Sequence, residues 1–367
     1  MYNESIGGVN VKRYTKPYLV FAAILIVLTA VLYTGCKSKN VNTTTNIDNE
    51  TKKYTISDYY PFTANMKMVY EGKGNEYASK TVYVDYIKGD KMQLRTDNGG
   101  TTLAQVLQNK NGELILLNSE AESYYKEDIT SLEGKKNEVL LKEPLAKGTS
   151  WKLSDGTKRS ITGTDVDITT PLGSYKALEV TTEYSDSKVK DYYVLNMGLV
   201  KTVLVSGGTE VTTSLKQYIK DSSLVQTARL YNFKVTTTDI QVVYKGITIN
   251  LKTNDEIKDV FQKYFRESLV GGTSALMSKN TKINKIYKNA NEGKVYIDFS
   301  KEFETEMNAG TTKESGILRS ITNTLGNYYN MNKVVITIDG EPYSSGHIVM
   351  DKGEAFNTDY SNVVEVK

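Results

Sequence analysis

The sequence predicts a multidomain protein in which an all-β antiparallel curved sheet is followed by an α+β sandwich. Short alternating runs broken by turn signals fill residues 54–220, whereas residues 221–367 carry two helical stripes set between strands. A side-chain period of two indicates strands and a period near 3.6 indicates helices. The 27 tyrosines and only 5 prolines also suit a strand-rich chain. Ahead of these domains we expect a signal peptide over residues 1–35 and a tether over residues 36–53.

An export signal is predicted at the N-terminus. Three basic residues come first, an apolar run over residues 18–33 follows, and small residues precede a cysteine: Lys12, Arg13 and Lys16, then Thr34, Gly35 and Cys36. Basic, apolar and small segments in this order are what an export signal requires. The apolar run is shorter than the roughly 20 residues that cross a bilayer as a helix, which favours a cleaved signal.

The end of this segment resembles the lipobox of bacterial lipoproteins. The resemblance implies cleavage between Gly35 and Cys36 and diacylation of the Cys36 thiol. It departs from the family at the third position before the cysteine, where Tyr33 stands in place of the usual Leu and Leu32 lies one place further back. It implies an anchor on the outer face of the cytoplasmic membrane, with membrane lipid as the partner of Cys36. An uncleaved signal anchor is the alternative, and it also places the rest of the chain outside the cytoplasm.

Composition limits the classes of function. Cys36 is the only cysteine in 367 residues, which excludes an intrachain disulfide and a metal site built on several thiolates. Cleavage after Gly35 removes three basic residues and one acidic residue, so the net charge falls from +3 to +1. Nucleic-acid binders usually carry a clustered basic face, which this chain lacks, so nucleic acid is not an expected partner. The tether is polar and aperiodic, as expected of a flexible spacer.

The middle region reads as one antiparallel sheet. Val82, Val84 and Tyr86 share one face of a predicted strand, and the pairs Asn111–Gly112 and Asp155–Gly156 are tight-hairpin signals because these residues tolerate positive φ.

Segments 145–151, 170–175 and 193–200 resemble a curved-sheet module of some cell-envelope lipoproteins. That resemblance implies a lipid or another apolar ligand in the concavity. The alternative interpretation is that Trp151 and the tyrosines form the core and cross-strand pairs.

The C-terminal region carries two predicted helices. Residues 253–256 and 311–314 have capping-box form. Apolar residues then recur at helical spacing, the first stripe ending before Gly271–Gly272: Ile257, Val260, Phe261, Tyr264, Phe265 and Leu269, then Ile317, Leu318, Ile321, Leu325 and Tyr328. Strands are predicted at 240–250, 295–299 and 334–338. Packing one sheet face against both helices buries both stripes and predicts an α+β sandwich. A charge at Ile321 should therefore unfold the module.

These C-terminal segments resemble the GerMN domain, a family named for the spore-germination lipoprotein GerM. The resemblance rests on motif positions in the strands, the second helix and the final turn: Asp298, Phe299, Glu314, Asn323, Thr324, Leu325, Asp339 and Gly340. GerM has two copies of the domain, whereas one copy is found here. The resemblance implies a role in sporulation or germination, a shape similar to ring-building modules of secretion machines, and assembly with envelope proteins or with further copies, including closure into a ring.

Several motif residues also have plain structural interpretations. We expect Asp298 to lie on an exposed face or to bond the next loop. Asn323 and Thr324 should bond nearby backbone, as short polar side chains do. Asp339 and Gly340 should form a turn.

Catalysis is not expected, and no cofactor or metal is predicted. A nucleophilic triad needs a base, and the single histidine, His347, is expected to be solvated in its loop. One histidine and one cysteine do not make a zinc site. The acidic residues around Tyr124, Tyr125 and Lys126 are expected at a solvated strand end: Glu120, Glu122, Glu127 and Asp128. A pair of carboxylates that hydrolyses glycosides is an open alternative, since the distance between two carboxylates cannot be read from the sequence. The two alternatives to an assembly role are therefore a lipid- or glycan-binding surface lipoprotein and an envelope hydrolase.

Overall fold

The computed structural model describes residues 53–237 and 239–367. The predicted signal peptide, Cys36 and the tether up to residue 52 lie outside the described residues. In the part of the chain that the structure describes, no helix combines the length and apolar character needed to cross a membrane.

A 12-stranded antiparallel sheet follows the one-turn helix α1 (Ile56–Tyr59). Its strands are β1 (Lys67–Lys73), β2 (Lys80–Lys88), β3 (Lys91–Asp97), β4 (Thr102–Lys110), β5 (Glu113–Glu120), β6 (Glu138–Lys142), β7 (Ser150–Lys152), β8 (Lys158–Thr170), β9 (Gly173–Glu183), β10 (Ser187–Val194), β11 (Gly198–Ser206) and β12 (Thr209–Ile219). The spatial order is β6-β5-β4-β3-β2-β1-β12-β11-β10-β9-β8-β7. The predicted all-β antiparallel sheet is confirmed.

The two edges of this sheet come together through side chains. Trp151 Nε1 on β7 donates to the carbonyl of Val139 on β6 at 3.0 Å, and Arg159 Nη1 on β8 donates to the same carbonyl at 2.8 Å. Arg159 Nη2 also pairs with Glu138 Oε1 at 2.8 Å. These contacts nearly close the sheet around an apolar core that includes Trp151.

A small cavity lies in the core of the curved sheet. A cavity of about 20 Å³ is lined by core residues such as Met66, Tyr70 and Met92. This volume is room for about one water molecule. Trp151 itself is a core residue of this sheet.

The predicted hairpin turns are present. Asn111 and Gly112 join β4 to β5 with φ values of 54° and 73°, the conformation of a two-residue hairpin turn of type I′. Gly156 lies in the connection from β7 to β8 with φ of 87°. Both positions need residues that tolerate the left-handed region.

The C-terminal module contains two smaller sheets and the principal helices. Its elements are β13 (Leu224–Val235), β14 (Ile240–Leu251), α2 (Ile257–Phe265), β15 (Ile283–Asn289), β16 (Lys294–Phe299), α3 (Glu302–Thr305), α4 (Thr311–Tyr329), β17 (Lys333–Ile338), β18 (Glu341–Pro342), β19 (Phe356–Asn357) and β20 (Val364–Glu365). One sheet has the order β13-β14-β20, and the other has the order β15-β16-β17-β18, with β19 also paired to β17. The α+β class is confirmed.

Helix α4 lies between the two small sheets. It contacts β13 and β14 on one side and β16, β17 and β19 on another. The predicted apolar stripe, which includes Ile321, is fully buried. A second stripe of small residues, Gly316, Ser320 and Thr324, is buried as well. The prediction of a helix with a single buried face was therefore too simple.

Both predicted capping boxes are wrong. Helix α2 begins after Glu256 and ends at Phe265, short of the predicted Leu269, and neither α2 nor α4 has a side-chain cap hydrogen bond. The Thr253 hydroxyl instead donates to the Val84 carbonyl at 2.7 Å, and the Glu314 carboxylate is buried against a distant loop. Both side chains therefore bond groups that are distant in sequence instead of the nearby helix ends.

The β5–β6 connection joins the two modules. This segment, residues 121–137, is called the strap. Arg95, which is 3% exposed, holds it: its guanidinium bonds Asp85 Oδ2 at 3.0 Å and donates from Nη2 to the Tyr125 carbonyl at 2.7 Å. The Tyr125 ring then packs against Tyr328 and Tyr329 of α4, with centroids 5.4 and 5.1 Å away.

Lys126, beside Tyr125, lies in the contact between the two modules. The side chain is only 1% exposed, its Nζ donates to the Lys252 carbonyl at 2.5 Å, and it lies 4.7 Å from the centroid of the Tyr86 ring. Burial lowers the pKa of Lys126, and burial raises the pKa of its partly buried neighbour Glu127. Glu122 and Asp128 are exposed, as expected of a solvated strand end. The expectation was wrong for Lys126 and Glu127, because the second module contacts both.

Close packing of α4 on β13 gives a test. A Cβ on Gly316 would lie 2.9 Å from ring atoms of Phe233. Gly316→Ala should therefore destabilise the protein by about 1–3 kcal/mol through overpacking, although alanine favours helix by roughly 1 kcal/mol. Thermal or denaturant unfolding measures this. The control Ser315→Ala, at an exposed neighbour in α4, should be neutral or slightly stabilising; equal stabilisation by both changes would contradict the two-sided packing.

Candidate functional site

The motif residues of the C-terminal module occupy three separate places. Asp298, Asp339 and Gly340 meet at the end of the β15–β17 sheet. Asp298 Oδ1 accepts from Thr337 Oγ1 at 2.5 Å and from the Gly340 amide at 2.8 Å. Asp339 and Gly340 have φ values of 47° and 87° and form the tight turn into β18. The expected bond from Asp298 to the next loop is present.

Phe299 and Leu325 are core residues. Both are fully buried, and the Phe299 ring stacks on Phe303 with centroids 4.0 Å apart. They anchor the sheet to the helices and reach no open surface.

Asn323 and Thr324 bond backbone that is remote in sequence. Asn323 Nδ2 donates to the Asp359 carbonyl at 2.6 Å, and its Oδ1 accepts from the Asp359 amide at 2.8 Å. Thr324 Oγ1 accepts from the Tyr231 amide at 2.9 Å. The expectation of local partners was wrong, because the backbone inside α4 is already bonded along the helix. These side chains instead satisfy the C-terminal tail and a strand edge.

Glu314 forms the third place, a buried carboxylate beneath the 343–350 loop. It is 2% exposed and takes hydrogen bonds on both oxygens. Oε1 accepts from Tyr343 Oη at 2.7 Å and Ser345 Oγ at 2.6 Å, while Oε2 lies 2.6 Å from His347 Nδ1. Burial alone would raise the pKa of Glu314, but the bonds from Ser345, Tyr343 and His347 outweigh it and lower the pKa.

The Glu314 cluster orders a loop. Ser345 Oγ also accepts from the amides of His347 and Ile348 at 3.1 and 3.0 Å, so the carboxylate and this hydroxyl together fix the loop. Ser345 and His347 each bond Glu314, on different oxygens, whereas a nucleophilic serine bonds its histidine base. The expectation that His347 is simply solvated was wrong: its ring is 39% exposed, yet one nitrogen is committed to Glu314.

The outer face of the β15–β17 sheet carries a partly exposed aromatic pair. Tyr287 on β15 and Tyr296 on β16 are cross-strand partners whose rings stack with centroids 4.9 Å apart and planes at 7°. The ammonium of Lys285 lies 4.4 Å from the centroid of the Tyr287 ring. Tyr296 Oη donates to Glu292 at 2.5 Å, and this bond raises the pKa of Tyr296 to about 12. We call Lys285, Tyr287, Tyr296 and Asp298 the tyrosine face.

Sequence reasoning missed the tyrosine face. The alternation in β16 places Tyr296 and Asp298 opposite the buried Val295 and Ile297, which was a usable signal. The stacking partner Tyr287 depends on the register between β15 and β16, which the sequence pattern alone did not fix. Within residues 53–237 and 239–367, no three His, Cys, Asp or Glu side chains group into a metal site.

The Glu314 cluster predicts a pH-dependent contribution to stability. The folded-state pKa lies below the ordinary 4.5, so the carboxylate stabilises the fold above pH 4.5 and this stabilisation is lost as the pH falls through the folded pKa. Glu314→Gln should lower the free energy of unfolding by about 1–3 kcal/mol at neutral pH. The difference in the free energy of unfolding between wild type and Glu314→Gln should become smaller below pH 4.5. Denaturant unfolding across pH measures this; Glu341→Gln, at an exposed position of β18, is the control, and a deficit independent of pH would contradict the role of the charge.

Comparison with known proteins gives a family match that includes most of the C-terminal region. A family model, Germane, described as sporulation and spore germination, matches residues 202–344. No curated protein matches the chain significantly.

Several solved structures are similar to parts of the chain. The tandem GerMN domains of the sporulation protein GerM from Bacillus subtilis are 23% identical over 38% of this chain, with a TM-score of 0.27. The match spans 46% of that chain, so this protein covers about half of the tandem structure. A Clostridium perfringens protein provisionally named a lipoprotein is 19% identical, over 37% of this chain and 88% of its own, with a TM-score of 0.23. A Bacteroides fragilis protein with a YmcC-like fold, provisionally named as exported, is 12% identical, over 44% and 99%, with a TM-score of 0.28.

The matched segment begins in β11 and runs through β18 to Ser344, so it contains α4, Glu314 and the tyrosine face. The GerMN-type resemblance read from the sequence is thereby confirmed: residues 202–344 of this chain match the Germane family model of sporulation and spore germination.

Proposed function

We propose that this protein is a lipid-anchored, non-catalytic envelope lipoprotein that acts in sporulation or germination by binding partners through the tyrosine face. The observation that carries the proposal is the stacked pair Tyr287 and Tyr296, left partly exposed on a sheet face of a module whose family is described by sporulation and spore germination.

The tyrosine face has the physical character of a binding surface. Tyrosine is enriched at protein interfaces because a ring with few rotatable bonds buries much area and its hydroxyl still bonds. Stacking of Tyr287 on Tyr296, and the bond from Tyr296 to Glu292, hold both rings in place before any partner arrives. Such preorganisation reduces the entropy lost on binding.

The junction supports an assembly role by fixing the orientation of this face. Arg95, Tyr125 and Lys126 tie the strap of the first sheet to α4 and to the backbone after β14. The tyrosine face is therefore carried by a body that includes the curved sheet. A chain anchored at Cys36 would present that body to partners at the outer face of the cytoplasmic membrane, either other envelope proteins or further copies that close into a ring.

The anchor is tested first. In a deletion strain of the source organism, the wild-type gene should restore heat-resistant spores or their germination, whereas Cys36→Ala should not, because an unacylated chain loses its hold on the membrane. Spore counts, germination rates and membrane fractionation measure this. Cys36→Ala protein that stays in the membrane would favour the uncleaved signal anchor, and full rescue by released protein would contradict lipid anchoring as a requirement.

The tyrosine face is tested separately from the anchor. Tyr287→Ala combined with Tyr296→Ala should leave a folded, membrane-bound protein that fails to restore the deletion strain. Loss of one central interface tyrosine costs about 2 kcal/mol, roughly 30-fold in affinity.

Tyr77→Ala, at a tyrosine of the first module that is 43% exposed, is the control and should restore the strain fully. Thermal melting of each variant checks the fold. If the folded double variant restores the deletion strain fully, the proposed role of the tyrosine face is wrong.

A further inference from the structure

A polar cavity lies where the strap meets the second module. It has a volume of about 90 Å³, is partly open to solvent and shares no residue with the tyrosine face. Strap residues and one residue of β4 form much of its wall, and β15 contributes the rest; the residues that matter below are Ala104, Tyr125, Glu127, Ile129 and Lys288. Since one water needs roughly 10–15 Å³ by this measure, the cavity has room for about six to nine non-hydrogen atoms.

Glu127 supplies the cavity with a carboxylate that is only partly satisfied. Its Oε1 accepts from the Lys288 backbone amide at 3.2 Å, and among the described residues no donor bonds its Oε2. Burial is the largest influence on this carboxyl group and raises its pKa. A charge in such surroundings costs free energy unless it is paired. The cavity therefore has a place for a positive group beside Glu127.

Lys288 supplies the opposite charge from the second module. Its side chain is partly buried, and its ammonium lies 5.2 Å from the centroid of the Tyr125 ring. Within the part of the chain that the structure describes, this ammonium forms no ion pair and has no hydrogen-bond acceptor. The three N–H donors of a lysine are thus left for an anionic acceptor. The cavity therefore also has a place for a negative group beside Lys288.

The two charges lie near each other without pairing. Attraction from the Lys288 charge acts on the Glu127 carboxyl and lowers its pKa in opposition to burial, so the groups share one site. The bond that joins the two residues uses the backbone amide of Lys288, while its ammonium lies at the Tyr125 ring. A molecule that satisfies both groups must carry a positive and a negative charge of its own.

We propose that this cavity binds a small zwitterion of the α-amino-acid type, whose ammonium pairs with Glu127 and whose carboxylate pairs with Lys288. Glycine, alanine and serine have about five to seven non-hydrogen atoms, which fits the size that the cavity volume allows. The small side chain of the ligand would pack against Ala104 or Ile129. A molecule of the same size with a single charge leaves either Glu127 or Lys288 unpaired and binds more weakly.

A ligand held in this way contacts both modules at once. Glu127 belongs to the strap of the first sheet and Lys288 belongs to β15, so the bound zwitterion adds bonds across the contact between the modules. A ligand that binds only the folded protein raises its thermal stability. The inference goes beyond the proposed partner binding and does not rest on it, because it uses other residues and a direct binding measurement.

Binding to full-length protein in detergent tests the site. Glycine, alanine and serine are the probes, and ethylamine and propionate, which carry one charge each, are the controls. Calorimetry should show saturable binding of the amino acids, with a rise in the melting temperature, and neither effect with the singly charged molecules. If none of the three amino acids binds at millimolar concentration, the cavity holds water alone and the inference is wrong. Equally tight binding of ethylamine or propionate would contradict the role of the second charge.

Two substitutions that keep the side-chain size locate the site. Glu127→Gln and Lys288→Met should each weaken alanine binding about tenfold or more, because each removes one hydrogen bond between charged groups. Melting curves without ligand check that both variants are folded. The comparison of probes on the wild-type protein needs no variant and decides the question even if one variant fails to fold.

Two exposed positions provide matched controls. Glu133 lies on the strap and Lys282 lies just before β15, and neither lines the cavity. Glu133→Gln and Lys282→Met should therefore bind alanine as tightly as wild type. Equal weakening in these controls, or unchanged binding in folded Glu127→Gln and Lys288→Met, would overturn the assignment of the site.

Discussion

Helix α4 is the constraint on which the C-terminal module depends, because it must pack against two sheets at once. Large apolar side chains such as Ile321 fill one side, and the small stripe of Gly316, Ser320 and Thr324 lets β13 approach the other. Most residues of this helix are buried, so several of its polar side chains bond other elements instead of solvent. Thr324 accepts a hydrogen bond from the Tyr231 amide of β13, and Asn323 holds the tail that leads to β20.

That packing also decides which surfaces remain open. Because α4 covers one face of the β15–β17 sheet, Tyr287 and Tyr296 are left on the other. The tyrosine face, which we assign to binding, is thus a surface that stays open after α4 has packed against the sheet.

The contact between the two modules differs from the packing of α4, because it buries charged side chains. Asp85 and Arg95 are both nearly inaccessible, and they are retained under the strap because each is bonded: Arg95 to two strap carbonyls and to Asp85, and Asp85 to Arg95 and Gln93. Buried ions are tolerated only with such partners, and removing one partner leaves the other exposed to the full cost of burial. Lys126 obeys the same rule through the Lys252 carbonyl and the Tyr86 ring.

The sequence by itself determined what depends on near neighbours along the chain. The period of two, the Asn111–Gly112 turn, the stripe of α4 and the GerMN motif predicted the fold class and the family, because strand alternation, turn conformation and helix spacing are local properties. Only the tertiary structure decided the roles of Glu314, Thr253 and Lys126, which bond partners far away in sequence rather than the helix ends or solvent that their positions suggested. The Tyr287–Tyr296 stack likewise exists only once β15 and β16 are in register, because a cross-strand pair is set by which strands become neighbours.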